Sequence, residues 1–432
     1  LKKFYQNIAY LFSANTLAIV VPFLFAPLLT RLYTADEYGT YAQITAYASL
    51  ISIFASGALE YSILLPKKNQ TAIFLLQAAQ FLALIIFLIS LILVFILFVF
   101  VKSFSPIYLV IPLYGLLVSS QKIWNYWQNR QDNFSLMAAA QSSRALSMST
   151  LQVLLGFISP KGIGLLFGDF IAQFLKLAIL LKSNTIEIIK TPFRLKNILA
   201  AVKTYKQFPL LAMPSDFFNF LSVQLPIFAF VIIFGEKAAG LYFLPHKLLS
   251  APLNALGNAI SQVYFKTLSV DNNEAGNTQT VSEKIYKSLF ITGVWGFGLI
   301  LFFGETLFAI VFGDTWQLSG VFATYLSPWL FMVYVFSPLS IIFTAINKLK
   351  ISFLMNFALF ILRAGALLIG SFYFDSLEKT VFIYGLTGFA YWFILSVFIM
   401  KFAGLFKSKI FIFSLKHLII SGTTLYILNH YI

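Results

Sequence analysis

The stretch IFLLQAAQFLALIIFLISLILVFILFVFV, Ile73 to Val101, carries no charged residue and exceeds the roughly 20 apolar residues that a helix needs to cross a bilayer. Its few polar residues, Gln77, Gln80 and Ser90, are too sparse to give it a water-facing side. Working outward, apolar runs of similar length recur along the whole chain, near 4–29, 39–65, 107–128, 134–158, 162–181, 209–234, 240–265, 286–312, 318–345, 351–373 and 381–400. With 59% hydrophobic and only 10% charged residues, the chain reads as an all-α polytopic membrane protein with twelve core spans. Short alternating strands, the mark of a membrane barrel, are not seen. The segment from Ile410 to Leu428 is a further apolar stretch, interrupted by Lys416, within a basic tail over 401–432.

The formal net charge of +15 raises the question of a nucleic-acid partner. Its distribution answers it. With the N-terminus inside, Lys2, Lys3, Lys67, Lys68, Arg130, Lys348, Lys350 and the basic residues of 182–206, 266–287 and 401–416 gather on the cytoplasmic side, against Arg31, Lys102, Lys161, Lys237 and Lys379 outside. Such asymmetry orients a membrane protein. Nucleic-acid binding would need a basic surface with interleaved aromatics on a soluble domain, for which no residues are left over. The first apolar segment is too long for a signal peptide and lacks a small-residue cleavage site, so it is expected to stay as a helix. Zero cysteines exclude disulfides, thiolate metal sites and cysteine nucleophiles.

The longest basic connection, residues 183–208, separates a six-helix lobe over 1–182 from a second over 209–400. Within it Leu195, Ile198, Leu199, Val202 and Tyr205 recur at helical spacing opposite Arg194, Lys196, Lys203 and Lys206, as in a helix lying on anionic inner-leaflet lipids. A weak internal repeat relates the lobes. Gly39-Thr40-Tyr41 recurs as Gly240-Leu241-Tyr242, and Asn129-Arg130 with Leu136-Met137 recurs as Asn347-Lys348 with Leu354-Met355. An even number of spans between matching elements implies a pseudo-two-fold along the membrane normal, an arrangement of transporters with the substrate path between two bundles.

The stretch PLLTRLYTADEYGTY, Pro27 to Tyr41, followed by Ile63-Leu64-Leu65-Pro66, resembles the opening of the bacterial polysaccharide-unit (O-antigen type) flippases of the multidrug/oligosaccharidyl-lipid/polysaccharide exporter superfamily. Phe208-Pro209, Gly240-x-Tyr242 and Leu248-Leu249-x-x-Pro252 support the resemblance more weakly, and elsewhere it is mainly topological. It implies two six-helix lobes in the bacterial inner membrane around a cationic cavity, a cargo of oligosaccharide on undecaprenyl pyrophosphate, no cofactor and no catalysis. It also brings a polysaccharide polymerase and its chain-length machinery into view as partners.

Cations inside the spans suit such a cargo, because guanidinium groups offer several donors to a pyrophosphate and lysine a point charge. Arg144, Arg363 and Lys247, with Arg31 at the outer end of the first span, are the candidate cavity cations. Gln141 and Gln152 share a helical face with Arg144, and Asn356 shares one with Arg363. Arg144 and Arg363 follow Arg130 and Lys348 at nearly equal intervals, which sets them at similar depth. The same groups could instead join helices by hydrogen bonds. Lys122 and Lys176 are near enough to helix ends to snorkel. Asp216 and Asp169 are intramembrane carboxylates that could carry a coupling proton or form buried ion pairs. Pro22, Pro27, Pro214, Pro226, Pro245 and Pro252 make the first, seventh and eighth helices bendable.

Two other readings remain open at this stage: a polytopic glycosyltransferase or polymerase acting on lipid-linked sugar, and a drug or cation antiporter of the same superfamily. The enzyme would need outward carboxylates, and Asp36-Glu37 is an acidic pair on that side. Thr34 and Glu37, however, have the spacing of a capping box at the start of the second helix.

Overall fold

The computed structural model describes residues 2–102, 104–158, 163–182, 188, 191–270, 275–342 and 349–431. Side chains of 2–15, 349–356 and much of 252–278 fall outside those described. Among the described residues every regular element is helical. The chain divides into two compact units, Leu1–Gln224 and Leu225–Ile432.

The first unit holds α1 (Lys2–Leu32), α2 (Ala35–Ser56), the short α3 (Leu59–Ser62), α4 (Asn69–Phe100), α5 (Ile111–Arg130), α6 (Phe134–Ile158), α7 (Ile163–Leu180), α8 (Leu195–Thr204) and the first half of α9 (Met213–Phe234). The second holds the rest of α9, α10 (Glu236–Val270), α11 (Ala275–Phe312), α12 (Gln317–Phe336), α13 (Leu349–Leu368), α14 (Leu377–Phe402) and α15 (Ser408–Tyr431).

Eight helical stretches among the described residues are long and apolar enough to cross a membrane: Asn69–Phe100, Pro106–Arg130, Ile163–Leu180, Phe208–Phe234, Gln279–Phe312, Asp314–Phe336, Leu377–Phe402 and Ser408–His430. Shorter apolar stretches lie at Thr16–Leu32 and Phe357–Tyr373. Helices α2 and α6 are long enough but richer in polar residues, and much of their surface is buried against neighbours, so lipid does not dictate their composition. Conversely, α4 exposes Leu88, Ile89, Ile92, Phe95 and Val99, the lipid-facing side of the stretch that sets the fold class. The apolar tail over 410–428 belongs to one continuous helix, α15, which packs on α11 through a Tyr286–Ser414 hydroxyl contact of 2.7 Å. Lys416 sits on its exposed face.

Local chemistry accounts for the boundaries. Thr34 caps α2 through both halves of the capping box: Glu37 N donates to Thr34 Oγ1, and Thr34 N donates to Glu37 Oε2 at 2.7 Å. Gly57 ends the same helix at φ +58°, a left-handed turn that glycine adopts without strain. Arg130, at the end of α5, donates to the carbonyls of Ile63 at 3.0 Å and Pro66 at 2.8 Å and so holds the Ile63-Leu64-Leu65-Pro66 turn. Helices α1 and α9 run on through Pro22, Pro27 and Pro226, while a π-helical turn over Phe208–Ala212 absorbs Pro209 just before α9. In the basic connection, Ile198 and Ala201 are buried, with Val202 and Tyr205 packed beside them, against α4; Leu195 and Leu199 stay exposed beside Arg194, Lys196 and Lys203.

Candidate functional site

In the first unit α1, α2, α5, α6 and α7 pack around one another, with α6 lying along α7. The crossing is close because Gly168 on α7 lies against Gln152: a methyl added there would fall 2.7 Å from its Cγ. At the centre of this group is Asp169 on α7, 2% exposed. Its carboxylate accepts hydrogen bonds from Tyr41 of α2 at 2.8 Å and Tyr114 of α5 at 2.5 Å, and an ion pair from Arg144 Nη2 of α6 at 3.0 Å. Four helices therefore meet on one carboxylate, which disperses its charge over three donors. Arg144 keeps 27% of its side chain exposed, and its Nε has no hydrogen-bond partner.

The polar stripe of α6 faces α7 along its length. Gln141 accepts from Lys176 at 2.9 Å, Arg144 pairs with Asp169, and Gln152 donates to the Leu165 carbonyl at 2.8 Å. The stripe thus joins two helices, and it also places two cations, Arg144 and Lys176, along one seam. Arg31 is exposed in the last turn of α1.

The second unit gathers its own polar centre from α10, α12, α13 and α14. Arg363 of α13 is 5% exposed. Its guanidinium lies 4.7 Å from the ring centre of Trp329 and 5.7 Å from that of Tyr384, within cation–π range of both. Tyr242 of α10 meets Tyr384 edge-on at 6.2 Å, and His246 stacks between Tyr242 at 5.4 Å and Trp329 at 6.2 Å. Lys247 is exposed, its ammonium 5.2 Å from the Phe243 ring. Asn356, expected to share a face with Arg363, lies outside the described side chains, as do Asn347 and Lys348.

The two centres have the same internal plan. In each, the tyrosine of the Gly-x-Tyr repeat and an arginine of a later helix meet at a shared third residue: Tyr41 and Arg144 at Asp169, Tyr242 and Arg363 at Tyr384. What differs is the medium that holds the guanidinium, a carboxylate in one unit and aromatic faces in the other.

Asp216 is elsewhere in the first unit. On α9, it accepts from Tyr61 at 2.9 Å and, with Glu60 and Lys122, lines a cavity of about 460 Å³. Glu60, Tyr61, Tyr114, Trp329 and Tyr384 were not singled out from sequence. For Glu60 a signal existed, a carboxylate inside the second apolar segment; aromatics in a chain with 50 phenylalanines and 21 tyrosines carry none. Among the described residues, no group of three or more His, Cys, Asp and Glu side chains could hold a metal ion.

The comparisons agree with this architecture. The family described as "Polysaccharide biosynthesis protein" matches residues 28–320 of the 432. A lipid II flippase MurJ in an inward closed conformation superposes with a TM-score of 0.66 over 98% of this chain and 92% of its own, at 15% identity. An inward-facing multidrug resistance MATE family transporter of the MOP superfamily follows at 0.63, over 92% of this chain and 95% of its own, at 13% identity. At these identities the likeness is one of fold. No curated protein matches the sequence.

Proposed function

The chain belongs to the polysaccharide biosynthesis protein family, and on that premise we propose that it is a flippase. Its cargo is an undecaprenyl-pyrophosphate-linked oligosaccharide repeat unit, moved from the cytoplasmic to the periplasmic leaflet of a bacterial inner membrane by alternating access. The observation that carries this reading is the repeated centre, a tyrosine and a largely buried arginine meeting at a third residue in each unit. A pyrophosphate needs guanidinium donors, and Arg144 keeps 27% of its side chain exposed beyond its pair with Asp169. Lys176 and Gln141 extend the polar seam toward sugar hydroxyls. The enzyme alternative is weakened because Glu37 is engaged in starting α2.

The test is chemical. Lipids of a strain lacking the protein should accumulate a polyprenyl-linked oligosaccharide that disappears on complementation; absence of accumulation in repeated extractions argues against flipping.

Orientation is part of the proposal. The basic excess puts the N-terminus in the cytoplasm and the exposed basic residues flanking and within α8 on anionic inner-leaflet lipids, where a polymerase and chain-length machinery would receive cargo from the opposite face. A cysteine at Lys68 should resist an impermeant maleimide in intact cells, and one at Lys379 should react; both positions are exposed. Labelling at position 68 would reverse the assigned topology.

Coupling to an ion gradient falls to Asp216 before Asp169. Asp169 can take a proton only by releasing Arg144, whereas Asp216 has one tyrosine hydroxyl to reorganise and borders a cavity. Asp216→Asn is expected to leave abundance unchanged and to make transport insensitive to collapse of the proton gradient. Undiminished, still gradient-dependent transport eliminates Asp216 from this role.

A further inference from the structure

The cavity beside Asp216 belongs wholly to the first unit, between α2, α3, α5 and α9. Its polar wall comprises Glu60, Tyr61, Lys122, Asp216, Asn219 and Gln224. Among the described residues no ion pair joins the charged members directly: Lys122 donates to Ser52 Oγ at 3.3 Å, Asp216 is held by Tyr61, and Glu60 Oε1 accepts from Ser56 at 3.0 Å. Glu60 is 3% exposed, yet its second oxygen, Oε2, has no hydrogen-bond partner. A buried carboxylate oxygen without a partner is costly, and because Glu60 lines the cavity a donor from a ligand there would relieve that cost.

The ligand's chemistry follows from the wall. Two carboxylates repel a pyrophosphate, so this is not a second head-group site. A cation is a poor occupant as well, because an ion is held at about 2.3–2.6 Å by several oxygens, and here the space is some 460 Å³ and includes an ammonium. What fits is a neutral molecule rich in hydroxyls, of a size suited to a cleft of a few hundred Å³. Carboxylates accept from its hydroxyls, the Asn219 and Gln224 amides both donate and accept, Lys122 donates, and the Phe220 ring offers an apolar face.

We infer that this cavity is a binding site for a sugar ring of the lipid-linked cargo, with Glu60 as its central acceptor. The inference rests on the flippase reading, since it takes the cargo's carbohydrate as the ligand.

Binding of defined lipids to the purified full chain in nanodiscs tests it. The probes are undecaprenyl diphosphate and the same lipid carrying a single hexose, tested as glucose, galactose and N-acetylglucosamine. At least one sugar lipid should bind about tenfold more tightly than the bare lipid, as expected for one or two hydrogen bonds to a charged group. Glu60→Gln should reduce that preference severalfold. Asn219→Leu, at an exposed position of the cavity wall, should reduce it as well by narrowing the cavity. Both should bind bare undecaprenyl diphosphate as the parent does.

Equal binding of all four lipids by the parent overturns the sugar site, while lipid accumulation in the deletion strain would still uphold flipping. Binding of none, with no accumulation, removes both. If Glu60→Gln keeps the sugar preference and abolishes sodium dependence of transport instead, the cavity is a cation site and the inference is wrong.

Discussion

Arg144→Ala is expected to deplete the protein from the membrane, and Arg144→Met combined with Asp169→Asn is expected to restore its abundance while polysaccharide export stays at the level of the deletion strain. The single change leaves Asp169, 2% exposed, charged and without its cation. Breaking a buried pair from one side costs on the order of 3–5 kcal/mol, enough to exhaust much of a typical folding stability. The double change removes both charges and leaves an amide oxygen to accept from Tyr41 and Tyr114, so the helices can still meet. Arg144→Lys should fall between, because charge survives and the planar donor set does not. Immunoblots of membranes separate the two effects from export measured on the same cells. Parental export by the double variant would make the pair a purely structural clamp and would remove Arg144 from the anion site.

Arg363→Ala is expected to abolish export with membrane abundance kept within about twofold of the parent. Its guanidinium contacts the faces of Trp329 and Tyr384, contacts that are worth about 0.5–2 kcal/mol each, and removing it strands no charge on either ring, unlike the carboxylate left behind at Asp169. Export should be lost all the same, because the guanidinium is the cation that this centre brings to an anion. Arg363→Lys should support less than half of parental export, since an ammonium neither stacks on the indole nor presents a bidentate fork. Trp329→Leu, which removes the platform and keeps the cation, should resemble Arg363→Lys more than Arg363→Ala. Export by Arg363→Ala at the parental level would end its assignment to the cargo.

In both centres the arginine is visible in the sequence and its surroundings are not. Arg144 and Arg363 stand out because a charge in an apolar run is conspicuous, and the Gly-x-Tyr repeat stands out because glycine and tyrosine recur at matching places. That these signals converge within each unit could not be read from the chain. Tyr41 and Asp169 are far apart along it, and their meeting depends on how α2, α5, α6 and α7 rotate and cross. The crossing of α6 and α7 depends in turn on a glycine fitting against a glutamine side chain. Nothing in the pattern near Asp169 distinguishes a proton carrier from a partner of Arg144.

The carboxylates divide in the same way. The place of Glu37 at a helix start is legible because a capping box involves residues three apart, and local spacing encodes it. Glu60 and Asp216 read as unrelated carboxylates in the sequence, because the cavity they share is assembled from three separate stretches of chain.

Membrane class, helix positions and helix caps were therefore legible in the amino-acid order, since apolarity over about twenty residues and hydrogen bonds over three or four are properties of adjacent residues. Which cation faces a carboxylate, which lies on aromatic rings and where a polar cavity opens were decided only by tertiary packing. Those relations depend on the rotation and spacing of whole helices, and many sequences of equal apolarity would fix them differently.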